Sequence, residues 1–198
     1  MGFIVNNNAW SFTVDIPEIF YASLDKKPIA HCSMCGKLLL SANEPYLIEK
    51  AFKKNLKTKN DDLVFEYALC LNCQQNALLE LSKESRANIK MYFDLYVDFE
   101  KRQKVLANQE NFKFTNCIKD CIITNKPIKE YGEYQIGGYF YDDQMLLASP
   151  PYAIGEKAMD EIQEVISKKT RDFLDGFKDK VIPPEVRDKV PDDFLILI

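Results

Sequence analysis

Two cysteine pairs constrain this chain more than any other feature. Cys32-Ser33-Met34-Cys35-Gly36-Lys37 opens the stretch they bound, and Cys70-Leu71-Asn72-Cys73 closes it. A C-x-x-C pair places two sulfurs on one side of a tight turn, and glycine after the second Cys permits the backbone conformation such a knuckle needs. Two knuckles converge four thiolates on one point. A closed tetrahedral shell of four cysteines is what structural zinc takes, so Cys32, Cys35, Cys70 and Cys73 are the candidate metal ligands. Two redox pairs are the competing explanation, but a thioredoxin-like motif needs one C-x-x-C in a βαβ setting and leaves the second unexplained.

The separation between the pairs exceeds the short spacing of simple zinc ribbons, so it must hold ordered structure. Tyr46 to Phe52 is one apolar-rich arm of a hairpin, and Asn55 to Asp62 is polar and turn-like. Leu63, Phe65, Tyr67 and Leu69 alternate with Val64, Glu66 and Ala68, the period of a strand. After Cys73 the pattern turns helical, with Leu78, Leu81, Ile89, Tyr92, Tyr96 and Phe99 at three- and four-residue steps. The second pair therefore sits at a helix N-terminus, where backbone N–H groups and the helix dipole favour thiolate. One helix from about Gln74 to about Asn108 is expected.

Knuckle, hairpin, then a helix carrying the second pair is the order of a treble-clef zinc finger. From Cys32 to about Leu95 the chain resembles that family, on C-S-M-C-G and C-L-N-C. The resemblance implies one structural Zn2+ per chain. A rubredoxin-like iron site uses similar knuckles, which leaves iron as the alternative metal.

The second half looks like a worn copy of the first. Cys121-Ile122-Ile123-Thr124-Asn125-Lys126 lies over Cys32 to Lys37, with Asn125 in place of Gly36, and both residues tolerate the left-handed conformation. A hairpin is expected to follow, with Tyr134 to Tyr141 and Met145 to Ala148 as arms and Asp142-Asp143-Gln144 as the turn. Leu81-Ser82-Lys83-Glu84-Ser85-Arg86 matches Ile166-Ser167-Lys168-Lys169-Thr170-Arg171, and an apolar helix face recurs as Ile162, Ile166, Phe173 and Phe177. The ligands do not recur, because Thr124, Gly155 and Ala158 stand where Cys35, Cys70 and Cys73 would be. The second copy is thus expected to be metal-free and held by packing, with Tyr131, Tyr134, Tyr139, Phe140 and Tyr141 supplying area. Cys121 is read as a relic and Cys117 as a buried thiol.

Residues outside these copies are less specific. Trp10, Phe12, Val14 and Ile16 alternate with polar residues as a half-buried strand, which Pro17 ends. Pro17 to Leu24 suits a short helix. Pro183-Pro184 and Pro191 stop the last helix, and Phe194 to Ile198 suits an edge strand or strand addition to a partner. His31 is the one histidine of the chain. A neighbour of the knuckle is its simplest role, since four cysteines complete the shell. With no H-x-E motif the zinc deaminase pattern is absent. Lys50, Lys53, Lys54, Lys57 and Lys59 cluster around the hairpin tip.

A net charge of −4 and a pI near 5.2 argue against a dedicated nucleic-acid binder, which usually carries a basic face. No apolar run approaches transmembrane length, so no membrane partner is expected. Six cysteines without a secretory signal suggest a reducing, cytoplasmic setting, where metal outranks disulfide.

The expected fold is therefore α+β: two knuckle–hairpin–helix lobes, the second degenerate and metal-free, joined by a long helix. Residues 1–30 form an N-terminal strand and short helix, 31–111 the zinc lobe, and 112–198 the degenerate copy with its C-terminal strand. The expected function is a non-catalytic zinc protein that binds another protein, as an interaction or adaptor module. The alternatives are nucleic-acid binding through the hairpin lysines, and an enzyme between the lobes using Glu66, Asp142 or Asp143.

Overall fold

The structure is a computed structural model that describes residues 13–55, 57–58, 60–102, 112–187 and 190. It is a mixed α+β fold in which helices cover an antiparallel sheet. The strands are β1 (Thr13–Asp15), β2 (Tyr46–Lys54), β3 (Asp61–Cys70), β4 (Glu133–Tyr141), β5 (Gln144–Leu146) and β6 (Tyr152–Gly155). They run in the order β1-β5-β4-β2-β3, with β6 also paired to β4. The helices are α1 (Leu71–Glu80), α2 (Lys83–Tyr96), α3 (Thr115–Ile118), α4 (Glu156–Val165), α5 (Lys168–Val181) and α6 (Pro184–Arg187).

β2 lies at the centre, and its first six residues are all buried. A strand covered on both faces cannot alternate apolar and polar residues, because neither face meets water. One face meets the helices, where Phe177 of α5 packs edge-on against Tyr67 at 6.3 Å. The other face meets the loops before β2, where Phe20 packs on Phe140 at 5.1 Å.

The single long helix expected from Gln74 to Asn108 is not formed. α1 stops at Glu80, and Leu81 is extended, with φ −62° and ψ 142°. Ser82 then caps a new helix by accepting the Ser85 N–H at 3.0 Å. Propensity carries the apolar period across this point, but a serine hydroxyl three residues before a free N–H offers the chain a second start. α2 ends at Tyr96 and a further helical stretch occupies 99–102; residues 103–108 lie outside the described residues. The second half breaks in the same way, since Ser167 caps α5 by accepting the Thr170 N–H at 3.3 Å.

The second hairpin also needs correction. β5 pairs with β4 only at Phe140 and Tyr141, and then takes β1 on its other side. The arm that runs along β4 is β6, with Tyr134 opposite Gly155 and Gly137 opposite Tyr152. Four residues after Pro150-Pro151 give too short a pattern to signal a strand. Of the expected N-terminal strand, Thr13–Asp15 is formed; Trp10 and Phe12, like Phe194 to Ile198, lie outside the described residues. Pro17 to Leu24 holds a 3-10 turn at Glu18–Phe20.

The two hairpins meet around an approximate two-fold between β2 and β4. Glu49 faces Gly137 across that pairing; Tyr67 pairs with Glu49 on one side and Tyr152 with Gly137 on the other. Both tyrosine hydroxyls donate to the Glu49 carboxylate, which is buried. A Cβ at Gly137 would run into the Tyr152 ring, so one carboxylate serves both tyrosines. The helix caps repeat the exchange. Ser82 N–H donates to Thr170 Oγ1 at 3.0 Å, and Ser167 N–H donates to Ser85 Oγ at 2.8 Å. Ser85 and Thr170 are fully buried, so each cap satisfies a polar group that the other helix pair would strand.

Candidate metal centre

The first knuckle is a turn closed by two backbone hydrogen bonds, Cys32 N–H to Lys37 O at 2.9 Å and Gly36 N–H to Cys32 O at 2.9 Å. Gly36 has φ +71°, and a Cβ there would touch nothing within 4 Å. The glycine is thus favoured by backbone conformation and not by space. Ser33 docks the turn on the end of β3: its N–H reaches Ala68 O at 2.8 Å, and its Oγ accepts the Ala68 N–H at 3.1 Å. Two residues later Cys70 ends β3 and is the N-cap residue of α1, which places Cys73 in the first helical turn.

These contacts bring the four sulfurs together. All lie within 4.8 Å of one another, and Cys35 Sγ is 3.9 Å from Cys70 Sγ. A tetrahedral zinc–thiolate shell with bonds of about 2.3 Å needs sulfurs about 3.8 Å apart. The donor set and its spacing therefore fit a four-thiolate metal centre. Cys32 and Cys70 are buried, Cys73 is half-buried and Cys35 is exposed. Among the described residues this is the one group of three or more His, Cys, Asp or Glu spaced to hold a metal.

Electrostatics point the same way. The Lys37 backbone N–H holds the Cys35 thiol below its ordinary value, against the opposing effect of burial. Burial pushes the Cys70 thiol up, opposed by hydrogen bonds from Cys73, and the neighbouring Cys32 charge pushes it further. Burial also pushes the Cys73 thiol up, and its side-chain hydrogen bonds with Cys35 and Cys70 and the Cys32 charge push it further. Four thiolates this close repel one another, and a bound dication removes that cost.

The other residues singled out in the sequence go elsewhere. His31 is exposed, bridged to Leu38 by backbone and outside the sulfur cluster. The hairpin lysines are largely engaged. Lys50 is buried against Glu66 at 2.6 Å and the Tyr21 carbonyl, Lys53 pairs with Glu133, and Lys54 donates to the Lys129 carbonyl. Lys57 is exposed, and Lys59 lies outside the described residues. Glu66 also accepts from Ser23 N–H and Oγ at 2.8 and 2.7 Å, while Asp142 accepts the Ser41 N–H at 2.8 Å. Both carboxylates thus have structural partners, and Asp142 and Asp143 sit at the turn before β5. Cys117 and Cys121 are both buried.

Two features escape the sequence reading. The first is a third knuckle without cysteines: Ala22 N–H to Lys27 O at 2.7 Å and Lys26 N–H to Ala22 O at 3.0 Å, with Lys26 at φ 57°. The signal was K-K-P-I at 26–29, which parallels N-K-P-I at 125–128. The second is the buried Glu49, whose carboxyl burial pushes up to about 8, opposed by the Tyr152 hydrogen bond.

No protein-family model matches the chain, and no curated protein or solved structure matches it. No helix among the described residues is long and apolar enough to cross a membrane.

Proposed function

We propose that this chain is a non-catalytic zinc protein. Cys32, Cys35, Cys70 and Cys73 hold one structural Zn2+, and the folded unit serves as an interaction or adaptor module for another protein. The observation that carries the reading is the convergence of four thiols within 4.8 Å on a knuckle, a strand end and a helix start. Zinc there ties the knuckle to the junction of β3 and α1, adding to the hydrogen bonds between Ser33 and Ala68. Two treble-clef-like lobes, the second without metal, are the architecture we infer. Its support is the shared order of knuckle, hairpin and broken helix pair about the two-fold. Undisulfided cysteines throughout support a cytoplasmic setting.

The adaptor role is supported by an asymmetry between the helix pairs. Leu79 of α1 and Met91 and Leu95 of α2 are 66%, 64% and 71% exposed. Counted from the matching caps Ser82 and Ser167, the second copy has Glu164, Gly176 and Lys180 at these positions. The fold therefore does not demand apolar residues there, and an exposed apolar face suits a protein partner.

Elemental analysis of protein purified without added metal tests the site, with about one zinc per chain expected. A stoichiometry near zero, or iron with visible charge-transfer bands, overturns it. Cross-linking in the native cell tests the adaptor role. The variant Met91→Glu/Leu95→Glu should melt like the parent and lose the partner; unchanged cross-links count against the face.

A further inference from the structure

The second knuckle shows what takes the place of a metal. Its backbone matches the first: Cys121 N–H reaches Lys126 O at 2.8 Å, and Asn125 N–H reaches Cys121 O at 2.9 Å. Asn125 has φ 56° where Gly36 has φ 71°. Ile122 N–H docks on Ala153 O at 2.9 Å, as Ser33 docks on Ala68. Gly155 ends β6 and is the N-cap residue of α4, as Cys70 ends β3 and precedes α1. Cys121, Thr124, Gly155 and Ala158 therefore stand at the four ligand positions.

One side chain reaches three of those four. The Tyr131 ring lies over Gly155, so close that a Cβ there would sit 2.6 Å from Cγ and Cδ2. Its hydroxyl shares a hydrogen bond with Thr124 Oγ1, and Cys121 is close enough to add to the rise that burial gives the Tyr131 pKa. Cys121 Sγ also accepts the Gly155 N–H at 3.5 Å, which joins the knuckle to the helix start directly. Ala158, at the fourth position, is fully buried. The ring is delivered by the 3-10 turn Ile128–Glu130, closed by Tyr131 N–H to Ile128 O at 3.0 Å.

We propose that the second lobe is a former four-ligand metal site in which the Tyr131 side chain stands where the ion stood. The ring fastens knuckle to helix start, and its bulk is why position 155 has no side chain. The proposal rests on the zinc reading of the first lobe. It also makes the second site recoverable: with thiols restored and the ring removed, a thiophilic dication should bind there.

Cobalt(II) titration of the full chain, read by thiolate-to-cobalt charge transfer, tests this. The parent should take one equivalent. Tyr131→Ser/Thr124→Cys/Gly155→Cys/Ala158→Cys should take two, and the triple cysteine variant that keeps Tyr131 should stay at one. No cobalt in the parent means the first-lobe reading has failed. One equivalent in both the parent and a folded quadruple variant overturns the present proposal alone, as does a second equivalent with Tyr131 retained. Should the quadruple variant not fold, hydrogen exchange on Tyr131→Ala decides. The Ile122 and Asn125 amides should lose protection while Ser33 and Gly36 keep theirs; retained protection at Ile122 and Asn125 overturns the proposal.

Discussion

The knuckles at Cys32 and Cys121 share a backbone and differ at four of six side chains. Both use a left-handed residue at the fifth position, the same two turn hydrogen bonds and a dock onto the neighbouring strand. One converges four sulfurs, and the other surrounds a tyrosine ring. The third turn, at Ala22–Lys27, has neither and is fastened by Ser23 to the Glu66 carboxylate that also pairs with Lys50. Backbone conformation and docking thus define the turn. The fastener between turn and strand is a separate choice, filled by thiols, by an aromatic ring or by hydrogen bonds to a carboxylate.

The sharpest way to break this comparison is to remove one fastener at a time. Cys70→Ser should have the largest effect. Apparent binding free energies for structural zinc run roughly 10–16 kcal/mol and are folding free energy when the site exists only in the folded state. That rivals the whole stability of a domain, so the variant should lose its metal and its cooperative melt. Cys117→Ser should melt close to the parent. Equal melting losses for the two would refute the assignment.

Tyr131→Ala should come next, at about 3–5 kcal/mol by denaturant unfolding, the range for truncating a buried aromatic ring. Tyr131→Phe isolates the hydroxyl bond to Thr124 and should cost about 1 kcal/mol. If the alanine variant loses less than about 1 kcal/mol, the ring is not a fastener.

Glu49 sharpens the comparison at the two-fold itself, where β2 carries a carboxylate and β4 a glycine opposite it. Its folded pKa of about 8 lies above the ordinary value of 4.5, so the folded state holds a proton that the unfolded state releases. Its contribution is fully present below 4.5 and is lost as pH rises to about 8. Relative to Glu49→Gln, the parent should lose stability between pH 6 and pH 8.5, a window that spares the thiolates from acid. Parallel unfolding curves for the two proteins across that window would remove Glu49 from the account.

The smallest effect concerns what the two helix pairs share. Ser82→Ala and Ser167→Ala should each cost about 1 kcal/mol, the usual worth of an N-cap. Their hydroxyls lie 3.0 Å apart, so the double variant should cost less than the two singles together. Strict additivity in a double-mutant cycle would show that the caps act separately.

Local chemistry in the sequence already determined that the four thiols cluster. Spacing within C-x-x-C, a glycine free to take positive φ and a helix start behind Cys70 are short-range facts, and the four sulfurs do meet. The alternation from Leu63 to Leu69 placed β3, and the cap motif shared by Ser82 and Ser167 was visible as a repeated string. What that string meant was not visible, because an N-cap interrupts a helix only when its hydroxyl finds the backbone N–H. Here the caps are also held by the other helix pair, from residues far away in the chain. β6 and the role of Tyr131 were hidden for the same reason. Four residues carry no period, and a tyrosine reads as core wherever it falls. Only tertiary structure put Glu49 between Tyr67 and Tyr152 and laid a ring over Gly155, since long-range pairing decides which side chains share a space, and a residue's own neighbours in sequence do not encode it.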